Sequence, residues 1–378
     1  MTRKSIFLGA TAIFALLATA PSAMADPSSE TMDVRLAEIA AFPINRPTGV
    51  AVSSDGRVFV SLPYAGYSDE RHRWSVVALE DGVARPVLPE TWHAKSGPVE
   101  TRLLNVQSLT IDSAGVLWLL DTGSARRAGV TPGGAKLIGV DPATETVTRT
   151  VVFDPSIVSG SDYLNDVRVD PVARVAYVTD SVRGGVIVVD LETGLQRRVL
   201  TSHPHLATGG LLVPLIEGVG LGDADGAPRF AATDGIALSL DQETVYVAYR
   251  PLSGSRSLLA IPAELLRDFA RTDAEIEAAT RLEATAVITD GIEVGPDDRV
   301  YFTDLERNAV SRLEADGSIR VVVADPRLSW PDAIGFARNG DFYVTTPQFH
   351  RLGAFNAGVD ASEPPFGVFR LKKKDMTQ

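Results

Sequence analysis

One short pattern is written six times along this chain, and few folds can accommodate it. It reads "RPTGVAVSSDGRVFVSLP" from Arg46, "NVQSLTIDSAGVLWLLDTG" from Asn105 and "YLNDVRVDPVARVAYVTDS" from Tyr163. It returns as "ATDGIALSLDQETVYVAYR" from Ala232, "VITDGIEVGPDDRVYFTDL" from Val287 and "WPDAIGFARNGDFYVTTP" from Trp330. Each unit has a polar residue, an alternating apolar strand, a turn rich in Asp and Gly, and a second strand rich in Val, Tyr, Phe or Trp. The opening polar residues are Thr48, Gln107, Asn165, Asp234, Asp290 and Asp332. Their spacing of roughly 40 to 70 residues has a lower end that matches propeller repeats. Further alternating segments lie between the units, among them "GGVIVVDL" from Gly184 and "SIRVVVA" from Ser318. Four strands per unit and six units predict an all-β, six-bladed β-propeller, expected as a single domain over residues 26–378.

Two details refine this architecture. After "FGVFRLK" (Phe366 to Lys372) the sixth unit has no fourth strand, while "DVRLAEIAAF" (Asp33 to Phe42) alternates correctly ahead of the first. The N-terminal strand is therefore expected to close the last blade. The segment "IPAELLRDFARTDAEIEAAT" (Ile261 to Thr280) departs from strand patterning. Pro262 suits a first helical turn, and Thr272 with Glu275 has capping-box spacing, so two short helices are expected within blade four, covering a blade edge.

Composition narrows the function. Acidic residues outnumber basic ones by 48 to 36, for a formal net charge of -12. That balance argues against nucleic acid, whose binding needs Lys and Arg on phosphates, and favours a cationic or neutral small molecule. There is no Cys, so disulfides, thiolate catalysis and thiolate metal sites are excluded. Arg3 and Lys4 precede the apolar run "SIFLGATAIFALLATA", and "AMA" at Ala23 to Ala25 supplies small residues for cleavage. Residues 1–25 thus read as a secretory signal peptide, and the remainder is expected to be secreted or periplasmic, free of the membrane and monomeric.

The repeats also resemble a known family. "AYVTDSVRGGVIVVDLETGLQRRVL" and "DGIALSLDQETVYVAYRPLSGSRSLLAIPAELLRD" look like blades of the major royal jelly protein and yellow family, and "WPDAIGFARNGDFYVTT" is similar to its final blade. The likeness extends over most of residues 30–371 and is weakest in blade one. It implies a six-bladed propeller, with members linked to tautomerisation of catechol-derived quinones and to binding small amines in the central tunnel.

Propeller geometry selects the candidate site. The innermost strand of each blade starts at the top face and the second strand returns to it. Residues before strand one and after strand two are therefore expected at the top mouth of the channel. This rule gathers Asn165, Asp166, Asp180, Asp234, Asp290, Asp332, Asp121 and Asp304 as ligand-binding candidates. Converging carboxylates repel one another, which favours protonation or a bound cation, either a protonated amine or a hard ion such as Ca²⁺. The alternative is structural, since Asp before Gly, as at Asp234 and Asp290, often caps a turn.

A more distant likeness, to the gluconolactonase and senescence-marker family, implies a divalent ion held by Asn165 in "LND" and Asp234 in "TDG". The sequence departs from that pattern in "RPTGV", where Thr48 stands in place of a Glu. Histidine adds His72 and His350 as acid–base candidates on top-face loops, with His203 and His205 read as solvated. Trp118, Tyr249, Tyr301 and Phe349 are candidate aromatic walls. Three functions remain open: a tautomerase, a metal-dependent lactonase, and a non-catalytic binder of small amines.

Overall fold

The computed structural model describes residues 33–65, 70–201, 213–222, 232–249 and 256–376. The proposed signal peptide, His203 and His205 lie outside these residues. Six four-stranded antiparallel sheets form the six blades. Their innermost strands are Gly49–Val52, Val106–Ile111, Leu164–Asp170, Thr233–Leu238, Ile292–Val294 and Ile334–Phe336. In blades one to five the strands follow chain order from the axis outward.

The hydrophobic core is divided among the blade interfaces. One cluster lies between each neighbouring pair of blades, so every sheet buries both faces. This explains why the second strands, such as Leu117–Thr122 and Val175–Asp180, are buried along their whole length. The alternation read from the sequence marks residues that face opposite neighbours, with solvent reached mainly by the outer strands.

Ring closure follows the sequence expectation. Leu36–Phe42 pairs antiparallel with Phe366–Leu371 as the outermost strand of blade six. Its alternating side chains serve two interfaces: Leu36 packs with blades five and six, while Ala40 and Phe42 pack with blades six and one. Polar contacts anchor its start. Asp33 N donates to Asp325 Oδ2 at 2.6 Å, and Arg327 Nη2 donates to the carbonyls of Asp33 and Leu36 at 2.9 and 3.1 Å.

The helices Ala263–Arg267 and Asp273–Ala279 stand between the third and fourth strands of blade four. Thr272 and Glu275 form the reciprocal capping box. Ala263, Leu266 and Ile276 join the cluster between blades three and four. The Arg197 guanidinium, from the outermost strand of blade three, donates to the carbonyls of Leu265, Leu266, Asp268 and Arg271. The helices therefore cover a blade edge, at the interface between blades three and four.

Because the closing strand contributes to two interfaces, its loss is expected to weaken the whole ring. Deleting residues 33–42 should lower the melting temperature in one cooperative transition, and Phe42→Ala alone should cost about 3 kcal/mol. Denaturant melts of both variants check this; a deletion that melts like the parent chain would show that the ring does not depend on this join.

Candidate ligand site at the channel mouth

Local irregularities in the inner strands turn polar side chains toward the axis. In blade three, Leu164 pairs with Asp180 and Val167 with Val178, leaving Asn165 and Asp166 opposite one residue. In blade four, Thr233 pairs with Tyr249 and Ile236 with Val247, so Asp234 and Gly235 sit in the same kind of bulge. A bulge re-aims side chains and sharpens the local twist. Asn165 and Asp234 thus lie inside their strands, where the sequence reading put them just before. Threonines of the second strands fix the neighbouring backbone. Thr179 Oγ1 accepts from Asp166 N, Thr303 Oγ1 from Asp290 N, and Thr345 Oγ1 from Ala333 N, each at 3.0 Å.

The mouth is lined by Thr48, Gln107, Asn165, Asp234, Asp290 and Asp332, one from each blade, with Ser108 and Asp166 beneath. The space between them is about 20 Å³, room for one small occupant. Adjacent inner strands approach closely here: Gly235 N donates to Asp290 O at 3.2 Å and Gly291 N to Asp332 O at 2.8 Å. A Cβ on Gly235 would stand 2.6 Å from the Asp290 carbonyl oxygen, and one on Gly291 would stand 2.3 Å from that of Asp332. Glycine follows Asp234 and Asp290 because a neighbouring blade occupies the space, not because the carboxylates cap a turn. Among the described residues, Asp234 Oδ1 accepts from Asn165 Nδ2, and Asp290 Oδ2 accepts from the Trp330 indole at 2.6 Å.

Asp332 differs from both. It is 7% exposed, and its buried Oδ2 has no hydrogen-bond partner among the described residues. Burial and the charges of Asp290, Asp234 and Asp166 push its carboxyl well above the usual range. Burial, then the Asp290 carboxylate, does the same to Asp234. Burial raises Asp290 to about 6, against the opposing hydrogen bonds from Trp330 and Asp234. Three carboxyl groups in one small space cannot all ionise cheaply, so at neutral pH they retain protons or gather a positive charge.

Asp166, expected as a ligand-binding residue, is instead tied into the channel. Its Oδ1 accepts from Ser108 Oγ at 2.5 Å and from Arg168 Nη1 at 3.2 Å. Arg168 reaches to blade five, where Nη2 donates to Ile292 O at 2.9 Å and pairs with Glu293 at 3.0 Å. Below the mouth the channel is thus crossed by an acid–base–acid bridge. Strand alternation could have identified it, because Arg168 and Glu293 stand two residues beyond channel-facing Asp166 and Gly291.

Three predicted members lie elsewhere. Asp121 is fully buried and accepts from Leu104 N, Asn105 N, Gly123 N and Lys136 Nζ. Asp180 accepts from Tyr163 N, Val182 N, Arg183 N and Arg198 Nη2. Asp304 accepts from Arg307 and Ser311. The end of a second strand sits one strand away from the axis, and there these carboxylates join loops and outer strands.

Neither histidine faces the mouth. His72 donates to Leu62 O at 2.8 Å, with burial holding its basicity down. His350 is fully buried, pairs through Nε2 with Glu217 at 2.9 Å and stacks parallel to Trp330 at 5.9 Å. Glu217 also accepts from Arg351 at 2.8 Å and Asn308 at 2.9 Å. Burial opposes its ionisation, but the bonds from His350 and Arg351 prevail and hold it at about 2. His350 therefore backs the indole that serves Asp290. Trp118, Tyr249 and Tyr301 belong to interblade clusters, and Phe349 packs against Trp330, so none forms a wall of the mouth. Trp330 and Glu217 were missed because only tertiary contact brings them to Asp290.

The metal expectation rests on Asn165 and Asp234, which lie in contact. Thr48 Oγ1 donates to Gln107 O at 2.6 Å and so adds no carboxylate. Among the described residues, no three His, Asp or Glu side chains form a group able to hold a metal ion.

Residues 104–378 match the family described as major royal jelly protein. The chain belongs to that family. Its propeller also resembles solved structures outside it. A gluconolactonase from Xanthomonas campestris superposes with a TM-score of 0.54 at 14% identity, covering 89% of this chain and 88% of its own. A Bacteroides thetaiotaomicron protein of unknown function gives a TM-score of 0.55 at 10% identity, covering 91% and 73%. At such identities the likeness speaks for the fold alone. No curated protein sequence matches the chain.

The raised carboxyls give the mouth a pH signature within this royal jelly-type propeller. A folded-state pKa above the unfolded value of 3.8 means that the folded state holds the proton more tightly. The contribution to stability then falls as pH rises from about 4 through about 6 for Asp290, and further for its neighbours. Asp332→Asn removes one charge and is expected to stabilise the fold by about 1–2 kcal/mol at pH 8, with little effect at pH 5. Urea denaturation at both pH values checks this, and a loss of stability at pH 8 would mean that Asp332 is held by favourable bonds.

Proposed function

We propose that this protein is exported and binds a small molecule through a positively charged group at the acidic mouth of its channel. The observation that carries the reading is Asp332, whose carboxylate oxygen is buried without a partner beside two other strained carboxyls. A buried acceptor left unmet costs about 1–3 kcal/mol, and a protonated amine meets it. The ammonium group replaces repulsion among Asp234, Asp290 and Asp332 with three attractions. Family membership and the signal-like N-terminus support an extracytoplasmic small-molecule protein.

A tautomerase activity is the second reading, favoured by Asp290 at about 6. A carboxyl titrating near neutrality beside carboxyls whose burial favours the protonated form supplies a base and an acid in one site. Asp290 would take a proton from one position of a quinone-type substrate while Asp332 or Asp234 returns one to another, leaving composition unchanged. His72 and His350 have no part in it, since neither reaches the mouth.

Thermal shift with 2-phenylethylamine, its neutral alcohol analogue, and Ca²⁺ with and without chelator tests the binding reading. The amine at about a hundred times its dissociation constant is expected to add about 2.7 kcal/mol. The alcohol should add little, and the amine effect should grow as pH rises through 6 and the carboxyls ionise. Asp234→Asn should fold normally and weaken the amine about tenfold. Equal shifts from amine and alcohol would overturn the cation reading, and a shift seen only with Ca²⁺ would replace it with the metal reading.

A further inference from the structure

Between the last strand of blade three and the first of blade four, the chain makes a small hairpin that is seated on blades five and six. Leu215–Ile216 pairs with Val219–Gly220, and the two residues between them, Glu217 and Gly218, both adopt left-handed backbone (φ 50° and 80°), as a tight two-residue turn requires. Ile216 and Leu221 are fully buried and pack with Ile288, Leu305 and Trp330. The tip joins the two blades. Glu217 Oε1 accepts from Asn308 Nδ2 of blade five at 2.9 Å, while Oε2 accepts from Arg351 Nη2 at 2.8 Å and pairs with His350 Nε2 at 2.9 Å, both of blade six. Ionised at neutral pH despite its burial, Glu217 can only accept, so His350 Nε2 carries the hydrogen of that bond.

The His350 ring lies parallel to the Trp330 indole within 2°, with centroids 5.9 Å apart, and Phe349 meets the indole edge-on at 5.9 Å. Trp330 is buried and holds a left-handed backbone (φ 57°), which a bulky residue keeps only where its surroundings impose it. This confinement aims one donor, Nε1, at Asp290 Oδ2 at 2.6 Å. The three mouth carboxyls are thereby treated unequally. Asp332 Oδ2 meets no donor among the described residues, and Asp234 Oδ1 meets the Asn165 amide. Burial and Asp166 oppose ionisation of all three, and Arg127 favours it at Asp234 and Asp290 alike. Of the two side-chain bonds that favour the Asp290 anion, from Trp330 and from Asp234, the indole's comes from outside the carboxyl set.

We propose that Glu217 is a positioning residue for the mouth: through His350 the hairpin holds the indole on Asp290, and so selects Asp290 among the three carboxyls to carry the negative charge. The connection between blades three and four thus sets the chemistry of a carboxyl on blade five. Under the cation reading above, on which this use of the site rests, Asp290 is the anion that first meets the ammonium.

The first test needs no ligand. With ¹⁵N-labelled tryptophan, the indole N–H signal of Trp330, one of four tryptophans, is identified by its loss in Trp330→Phe. In the parent chain that signal is expected to shift as pH passes through about 6, where Asp290 exchanges its proton. Glu217→Gln keeps the size of the side chain but loosens its hold on His350, and should raise the midpoint by about half a unit or more. As a bare negative charge Glu217 would act in the opposite sense, its removal lowering the midpoint. Asn308→Gly, which suits the left-handed backbone there and frees the tip from blade five, carries the same expectation if Glu217→Gln does not fold. The second test is the affinity of 2-phenylethylamine between about pH 5 and 8: its rise with pH should move up by about one unit in Trp330→Phe and by less in Glu217→Gln. A merely structural role would weaken binding equally at every pH. An indole midpoint unchanged or lowered in the hairpin variants overturns the positioning proposal, and the cation reading stands if the parent chain still binds the amine. A parent chain that binds no amine, with the midpoint raised in the variants, keeps the positioning proposal and removes the cation reading.

Discussion

Six sheets packed face to face around one axis must bring the starts of their innermost strands into contact, and the site depends on that constraint. At Gly235 and Gly291 the neighbouring backbone comes so close that a Cβ has no room. The interblade clusters enforce this approach, because each sheet is pressed from both sides. Whatever side chains stand at the strand starts are then held together regardless of their mutual preference. In blades four, five and six those side chains are carboxylates. Their repulsion is maintained by the rest of the ring, including the N-terminal strand that completes it.

Much of the fold was legible because its physical cause is periodic. Alternation, Asp- and Gly-rich turns and the missing fourth strand of blade six each reflect a local requirement of a sheet buried on both faces. The helical insertion announced itself through Pro262, Thr272 and Glu275. The site was legible only as far as topology reaches. Asn165, Asp234, Asp290 and Asp332 were drawn together by the rule for strand starts, and the structure brings them to one mouth. The companion rule for strand ends failed at Asp121, Asp180 and Asp304. There the carboxylates meet loop N–H groups and partners from outer strands, Lys136, Arg198 and Ser311. Those partners are distant in the repeat, so no local pattern shows them.

The same contrast separates acids whose charge the fold compensates from acids whose charge it does not. Asp121 is as deeply buried as any residue in the chain, yet three backbone N–H groups and an ammonium surround it. Such a carboxylate is a structural joint, and removing its charge would leave donors unmet. Asp332 is slightly less buried and has an oxygen that meets no donor among the described residues. Burial alone therefore does not distinguish function. The distinguishing quantity is burial without compensation, which leaves a carboxyl group to keep its proton or to attract a cation.

The channel makes this argument internally. A short way below the mouth, Arg168 of blade three pairs both with Asp166 of its own strand and with Glu293 of blade five. In that layer the chain places a cation of its own between two carboxylates. At the mouth, one layer higher, the carboxylates have amide and indole donors at Asp234 and Asp290 and nothing at one Asp332 oxygen. A guanidinium at the mouth would have neutralised them, as Arg168 does below. The mouth carboxylates are thus left to keep their protons or to attract a positive charge, where those of the layer beneath are paired within the chain.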